Sequence, residues 1–109
     1  MTLRISADHT HLLRDGEPFF WLADTCWSAF TNISDEEWIE YLDIRAAQGF
    51  NVLQINTLPQ WDRCGTLLDR HPFPLTDGAR YDFSTIQPEY FSHAQEMCRA
   101  AVDRGFVLA

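Results

Sequence analysis

Gln48-Gly49-Phe50-Asn51-Val52-Leu53 and Arg104-Gly105-Phe106-Val107-Leu108 carry one message twice: a helix stops on glycine and turns through phenylalanine into an apolar strand. Glycine closes helices in the left-handed conformation that other residues resist. Two such junctions in one chain predict strands alternating with helices, the pattern of a parallel α/β sheet with right-handed crossovers.

Reading backwards from Gly49, a helix begins at Ser34, an N-cap whose capping box is completed by Glu37. Its apolar stripe is Trp38, Leu42 and Ala46, with Ile39 and Tyr41 flanking. Before Gly105, Pro88 suits a first helical position, and Tyr90, Phe91, Ala94, Met97, Cys98 and Ala101 fit one helix face. Ahead of both lies Pro18-Phe19-Phe20-Trp21-Leu22-Ala23. It is apolar throughout, which predicts a strand buried on both faces. It also forms the second arm of a hairpin over residues 11–23, turned at Asp15-Gly16. The fold class is therefore α/β: the N-terminal portion of a (β/α)8 TIM barrel, about two and a half βα units, preceded by a β-hairpin. A closed barrel takes ~250 residues, so residues 1–109 are expected to be one truncated part of such a domain. A small open α/β sheet is the alternative, disfavoured because the last strand has no following helix to cover it.

Composition narrows the function. Sixteen acidic residues against eight basic ones give a net charge of −8, which opposes nucleic acid and anionic membranes as partners. No apolar run approaches the ~20 residues of a membrane span, and Met1 to Ser6 lacks the basic head and apolar core of a signal peptide. Cys26, Cys64 and Cys98 form no close pair and read as reduced thiols in a cytoplasmic protein. Asn32-Ile33-Ser34 is formally a glycosylation triplet, but Ser34 is explained by its cap.

In β/α barrels chemistry sits at the C-terminal strand ends. One end here reads Ala23-Asp24-Thr25-Cys26-Trp27, the other Gln54-Ile55-Asn56-Thr57 running on to Gln60, Trp61, Asp62 and Arg63. Polar Gln54 and Asn56 on a buried strand point either to a wet barrel mouth or to a hydrogen-bonded pair between strands. Asp24 is suited to hold a ligand hydroxyl or to cap its own turn through Thr25. Trp27 and Trp61 offer flat faces for sugar rings, or pack the loop onto the rim. Gln60 and Arg63 are placed to bond a polyol, although Arg63 has Asp62 beside it as a partner. The segment from Thr57 to Gln87, about 30 residues without periodicity, exceeds the usual loop length and carries Trp61, Phe73, Tyr81 and Phe83, so it reads as a structured wall over the mouth. His9 and His11 precede the hairpin turn, and His71 and His93 read as isolated. No metal site and no cofactor are expected.

Pro18-Phe19-Phe20-Trp21-Leu22-Ala23-Asp24-Thr25-Cys26-Trp27, then Gly49 to Asn56, then Tyr81-Asp82-Phe83-Ser84 before Pro88-Glu89-Tyr90-Phe91 together resemble the apiosidase-like glycoside hydrolase catalytic domain. The resemblance runs in order through nearly the whole chain, with Cys26 where a small residue is usual. It implies a barrel hydrolysing O-glycosidic bonds of plant or bacterial glycans, often followed by a β-sandwich. It also implies that Asp24, Trp27, Asn56, Gln60 and Trp61 lie in the sugar pocket, and that the catalytic carboxylates come from strands beyond Ala109. Two other readings remain: a metal-dependent sugar isomerase barrel, and a non-catalytic carbohydrate-binding module.

Overall fold

The computed structural model describes residues 1–59, 66–78 and 80–109. In chain order the first elements are β1 (Leu3–Ile5), β2 (Leu12–Arg14), β3 (Glu17–Phe19), β4 (Ala23–Thr25), α1 (Ala29–Asn32) and α2 (Asp35–Ala47). They are followed by β5 (Val52–Gln54), β6 (Leu75–Thr76), β7 (Arg80–Tyr81), α3 (Pro88–Asp103) and β8 (Val107–Leu108).

The repeated glycine junction is built identically both times. Phe50 N–H donates to the Arg45 carbonyl and Gly49 N–H to that of Ala46, each at 3.0 Å. Phe106 and Gly105 repeat this to Ala101 (3.2 Å) and Val102 (2.9 Å). With Gly49 at φ +88° and Gly105 at +90°, both helices end in the paired bonds of a Schellman cap, which aim the chain back along the sheet. The strands so launched are parallel, in the order β4-β5-β8. Ala23, Asp24 and Thr25 lie opposite Val52, Leu53 and Gln54, and Val52 and Leu53 lie opposite Val107 and Leu108.

One face of this sheet carries the helices. Leu53 and Phe106 pack with Trp38 and Leu42 of α2, with Tyr90, Ala94, Met97 and Ala101 of α3, and with Ala29 and Phe30 of α1. Trp38, Phe106, Leu42 and Leu53 are essentially fully enclosed, each worth roughly 1.5–3 kcal/mol of apolar transfer. The Trp38 indole N–H donates to the Met97 carbonyl at 3.1 Å, satisfying a buried polar group while pinning α2 to α3. The capping box at Ser34 and Glu37 is complete, and Pro88 opens α3 as expected.

Three local expectations change. The run from Pro18 to Ala23 is not one buried strand. β3 pairs antiparallel with β2 as far as Phe19, and β4 pairs parallel with β5 from Ala23. A straight strand cannot serve two partners in different sheets, so residues 20–22 form a link, with Phe20 79% exposed. Asn51 holds that link, accepting from Leu22 N–H at 2.9 Å and donating to the Phe20 carbonyl at 2.6 Å. On α2, Ala46 faces solvent, and Arg45 takes the inward place, its guanidinium over the Tyr41 and Phe50 rings at 5.3 Å. Finally, the aperiodic segment contains a hairpin, β6–β7, turned at Asp77-Gly78 with φ of +51° and +69°.

The expected hairpin is present, turned at Asp15 and Gly16 with φ of +53° and +95°. β1 extends it to a three-stranded antiparallel sheet. Arg14 Nη1 ties this sheet to the start of β8, donating to the Gly105 carbonyl at 2.7 Å.

Candidate functional site at the strand ends

Because β4, β5 and β8 run the same way, their C-terminal ends share one rim. Beyond the strands the hydrogen-bond ladder continues: Cys26 N–H donates to the Gln54 carbonyl at 2.9 Å, and Asn56 N–H to the Trp27 carbonyl at 3.1 Å. That last bond brings Trp27 and Asn56 together. The Trp27 ring is 51% exposed. The Asn56 Nδ2 group is shielded from solvent, yet among the described residues it has no hydrogen-bond partner, an arrangement that costs about 1–3 kcal/mol. Thr25 and Gln54, side by side in register, present exposed polar groups on the sheet face opposite the helices.

The Asp24 side chain lies on the other side of the sheet, and it caps its own turn through Thr25 as one of its two readings expected. Alternation along β4 turns its side chain toward α2. Oδ2 accepts from the Tyr41 hydroxyl at 2.8 Å and from Arg45 Nε, while Oδ1 accepts from Thr25 N–H at 2.9 Å. Burial raises the Asp24 pKa, but hydrogen bonds from Tyr41, Arg45 and Thr25 and the charge of Arg45 outweigh it and hold the carboxyl below its ordinary value. Tyr41 is pushed upward, by burial first and then by its bond to Asp24. Arg45 is raised, chiefly by the same carboxylate. The group is an ionised clamp between strand and helix. It was foreshadowed only by Tyr41 and Arg45 lying four apart on one helix face.

Gln60 and Trp61, the other two expected sugar contacts, lie outside the described residues, as do Asp62, Arg63 and Cys64. Cys26 and Cys98 are free thiols.

The histidines read as isolated are drawn into a cluster that sequence reasoning missed. His93 Nε2 lies 2.7 Å from Asp35 Oδ1, which Arg70 Nη2 also approaches at 3.4 Å. The hydrogen bond from His93, opposed by burial and aided by the charges of His93 and Arg70, keeps the Asp35 pKa low. His71 sits between Asp69 Oδ1 at 3.0 Å and the Tyr81 hydroxyl at 3.1 Å. Asp69, Arg70 and His71 are consecutive, but Asp35 and His93 come from distant parts of the chain, and no spacing rule would have joined them. Among the described residues no three His, Cys, Asp or Glu side chains are grouped to hold a metal, and no helix is long and apolar enough to cross a membrane.

A family model described as "Apiosidase-like, catalytic domain" matches residues 6–109. The chain belongs to that family. Among solved structures it is similar to a protein titled "Glycoside hydrolase", with 28% identity and a TM-score of 0.73 over 98% of this chain and 24% of that one. A glycoside hydrolase family 5 protein from Bacteroides vulgatus shares the fold, with 24% identity and a TM-score of 0.72 over 98% of this chain and 23% of its own. The chain thus spans about a quarter of the length of these structures. A search of curated proteins finds no match.

Proposed function

We propose that residues 1–109 are the N-terminal part of a (β/α)8 catalytic barrel whose whole protein hydrolyses O-glycosidic bonds in plant or bacterial glycans. The observation that carries this reading is the parallel β4-β5-β8 triplet opening at a rim where Trp27 and Asn56 meet, in a chain of apiosidase-like family membership.

Within that reading Trp27 receives the C–H face of a sugar, and the Asn56 amide donates to one of its oxygens. Gln60 and Trp61 complete the contacts from the loop that follows. Asp24 serves them indirectly, by fixing β4 against α2 and hence the place of Trp27. Thr25 and Gln54 line the approach. The acid and the base or nucleophile are carboxylates of later strands, beyond Ala109. Carboxyl groups ~5 Å apart would give retention of configuration, and a gap of roughly 6.5–9.5 Å would admit a water and give inversion. Residues 1–109 alone therefore cut no glycosidic bond. The free thiols of Cys26 and Cys98 support residence in a reducing cytoplasm.

The test is to incubate the full-length parent with aryl glycosides and branched plant glycans and to measure the sugar released. Release that survives chelation is the expected result. A parent that cuts no glycosidic bond but interconverts free sugars, losing that activity on chelation, would establish the isomerase reading instead.

A further inference from the structure

Phe83 is 74% exposed, yet its ring is held in place. It meets Phe73 edge to face at 5.0 Å and 69°, and Tyr81 at 6.1 Å and 64°. Phe73 and Tyr81 meet each other at 5.8 Å, and Tyr81 meets His71 at 5.8 Å. The backbone on either side is pinned. Asp82 N–H donates to the Pro74 carbonyl at 2.8 Å, and Asp82 Oδ1 accepts from the Ser84 N–H at 2.9 Å and the Ser84 hydroxyl at 2.6 Å. A large apolar ring kept in water and braced edge to face by two others presents a flat apolar face to a ligand.

A cavity of about 380 Å³ adjoins this cluster, with Arg70, His71, Gln87, Glu89, Tyr90 and His93 in its wall. Its size falls within the roughly 300–1,000 Å³ range of ligand pockets. His71 lines the cavity and meets Tyr81 of the aromatic cluster, so the two features adjoin. The wall sets Arg70 beside Glu89 and Asp69, and His71 and His93 each lie against a carboxylate. That balance suits a neutral polyol and not a phosphate or polyanion, which would meet two carboxylates of its own sign. Trp27 and Asn56 line none of this cavity.

We propose that the exposed face of Phe83 and the cavity joined to it by His71 form a second carbohydrate-contact site, apart from the strand-end rim, which takes a sugar residue of a neutral glycan chain. The sugar's C–H face lies on Phe83, and its hydroxyls reach Gln87 and Glu89. The choice of ligand class rests on the glycosidase reading, whereas the site itself rests on the geometry of the β6–β7 hairpin.

The test is affinity electrophoresis of the full-length parent through gels containing neutral xyloglucan or arabinoxylan, with polygalacturonate as the acidic comparison. Retardation by a neutral polysaccharide is expected, falling about fivefold to tenfold in Phe83→Ala and recovering in Phe83→Trp. Phe83 lies on the surface, so the variants should fold, and far-ultraviolet circular dichroism checks this. No retardation of the wild type by either neutral gel, or retardation unchanged by Phe83→Ala, overturns the proposal. So does binding confined to polygalacturonate. A parent that cuts no glycosidic bond but is retarded through Phe83 would sink the hydrolase reading and leave this site standing.

Discussion

Arg45, in the last turn of α2, donates through Nε to Asp24 Oδ2 on β4, and Tyr41 one turn earlier donates to the same oxygen at 2.8 Å. One carboxylate thereby fixes the edge strand of the parallel sheet to the helix that follows it. The pair is partly solvated, with the two side chains 32% and 23% exposed, so its charge contribution is screened and its geometry matters more.

Asp24→Asn should therefore cost about 1–3 kcal/mol near neutral pH, mostly through poorly matched hydrogen bonds left on Tyr41 and Arg45. The pH dependence has a definite sign. A carboxyl depressed in the folded state adds stability above its unfolded pKa and loses it as pH falls through the folded one, a window opening below roughly pH 4. Asp8, Asp35, Glu37 and Asp82 are depressed as well, so the comparison must be between variant and wild type. Urea melts at pH 7, 4 and 2.5 should show the gap between them closing with acid. A gap constant across that range would rule out an ionised clamp.

The twin glycine caps make a matched pair. Gly49 and Gly105 both sit near φ +90°, and an added Cβ at either would meet no atom within 4 Å. The penalty for alanine is then purely conformational, about 1 kcal/mol at each site. Gly49→Ala and Gly105→Ala should lower the melting temperature by similar amounts of several degrees, with asparagine milder at both. Sharply unequal losses would mean that one junction carries a role beyond turning the chain.

The same junctions explain what was legible beforehand. Caps, turns and helix stripes are local, so Ser34, Pro88, Gly49 and Gly105 mark their elements in sequence, and the parallel order follows from their alternation. Phe20, Trp21 and Leu22 misled because apolar composition registers burial without saying which sheet a strand joins. The break at Phe19 is set by β2 and β5, both distant in the chain. Asp77-Gly78 carried the same turn signal as Asp15-Gly16, but its flanking strands are only two residues each, too short to show alternation. At the rim, Asn56 stands out in sequence as a polar residue on an apolar strand, and the cap of Asp24 on Thr25 N–H was one of the readings of that residue. The bonds to Asp24 from Tyr41 and Arg45 were not legible, since residue type cannot tell which face of a strand finds Arg45.

Cys26 lies between these regions, and its chemistry follows from its surroundings. Burial, joined by the nearby charge of Asp24 and opposed by Tyr41 and Arg45, pushes its thiol up to about 11. The thiolate is the reactive form, so iodoacetamide should label Cys26 slowly in the native chain at pH 8 and fast after unfolding in urea. Peptide mapping by mass spectrometry reads the site directly. Prompt labelling of the folded chain at pH 8 would place the thiol in solvent and contradict the packing of Cys26 against the helix-side core.

Asn56 offers the sharpest separation of stability from function. Its Nδ2 group is buried without a partner among the described residues, so in the unliganded protein the amide is a burden of about 1–3 kcal/mol. Asn56→Leu replaces it with a side chain of similar size that needs no partner. The melting temperature should hold or rise, where most substitutions of enclosed residues lower it. On the proposed sugar-binding role the same change in the full-length parent removes a donor to substrate, and kcat/KM for glycan should fall about tenfold, the equivalent of one hydrogen bond of about 1.4 kcal/mol. A variant both more stable and less active is what a binding residue produces. If Asn56→Leu melts several degrees lower and leaves kcat/KM untouched, the amide belongs to the scaffold, and the strand-end rim loses the residue on which its assignment chiefly depends.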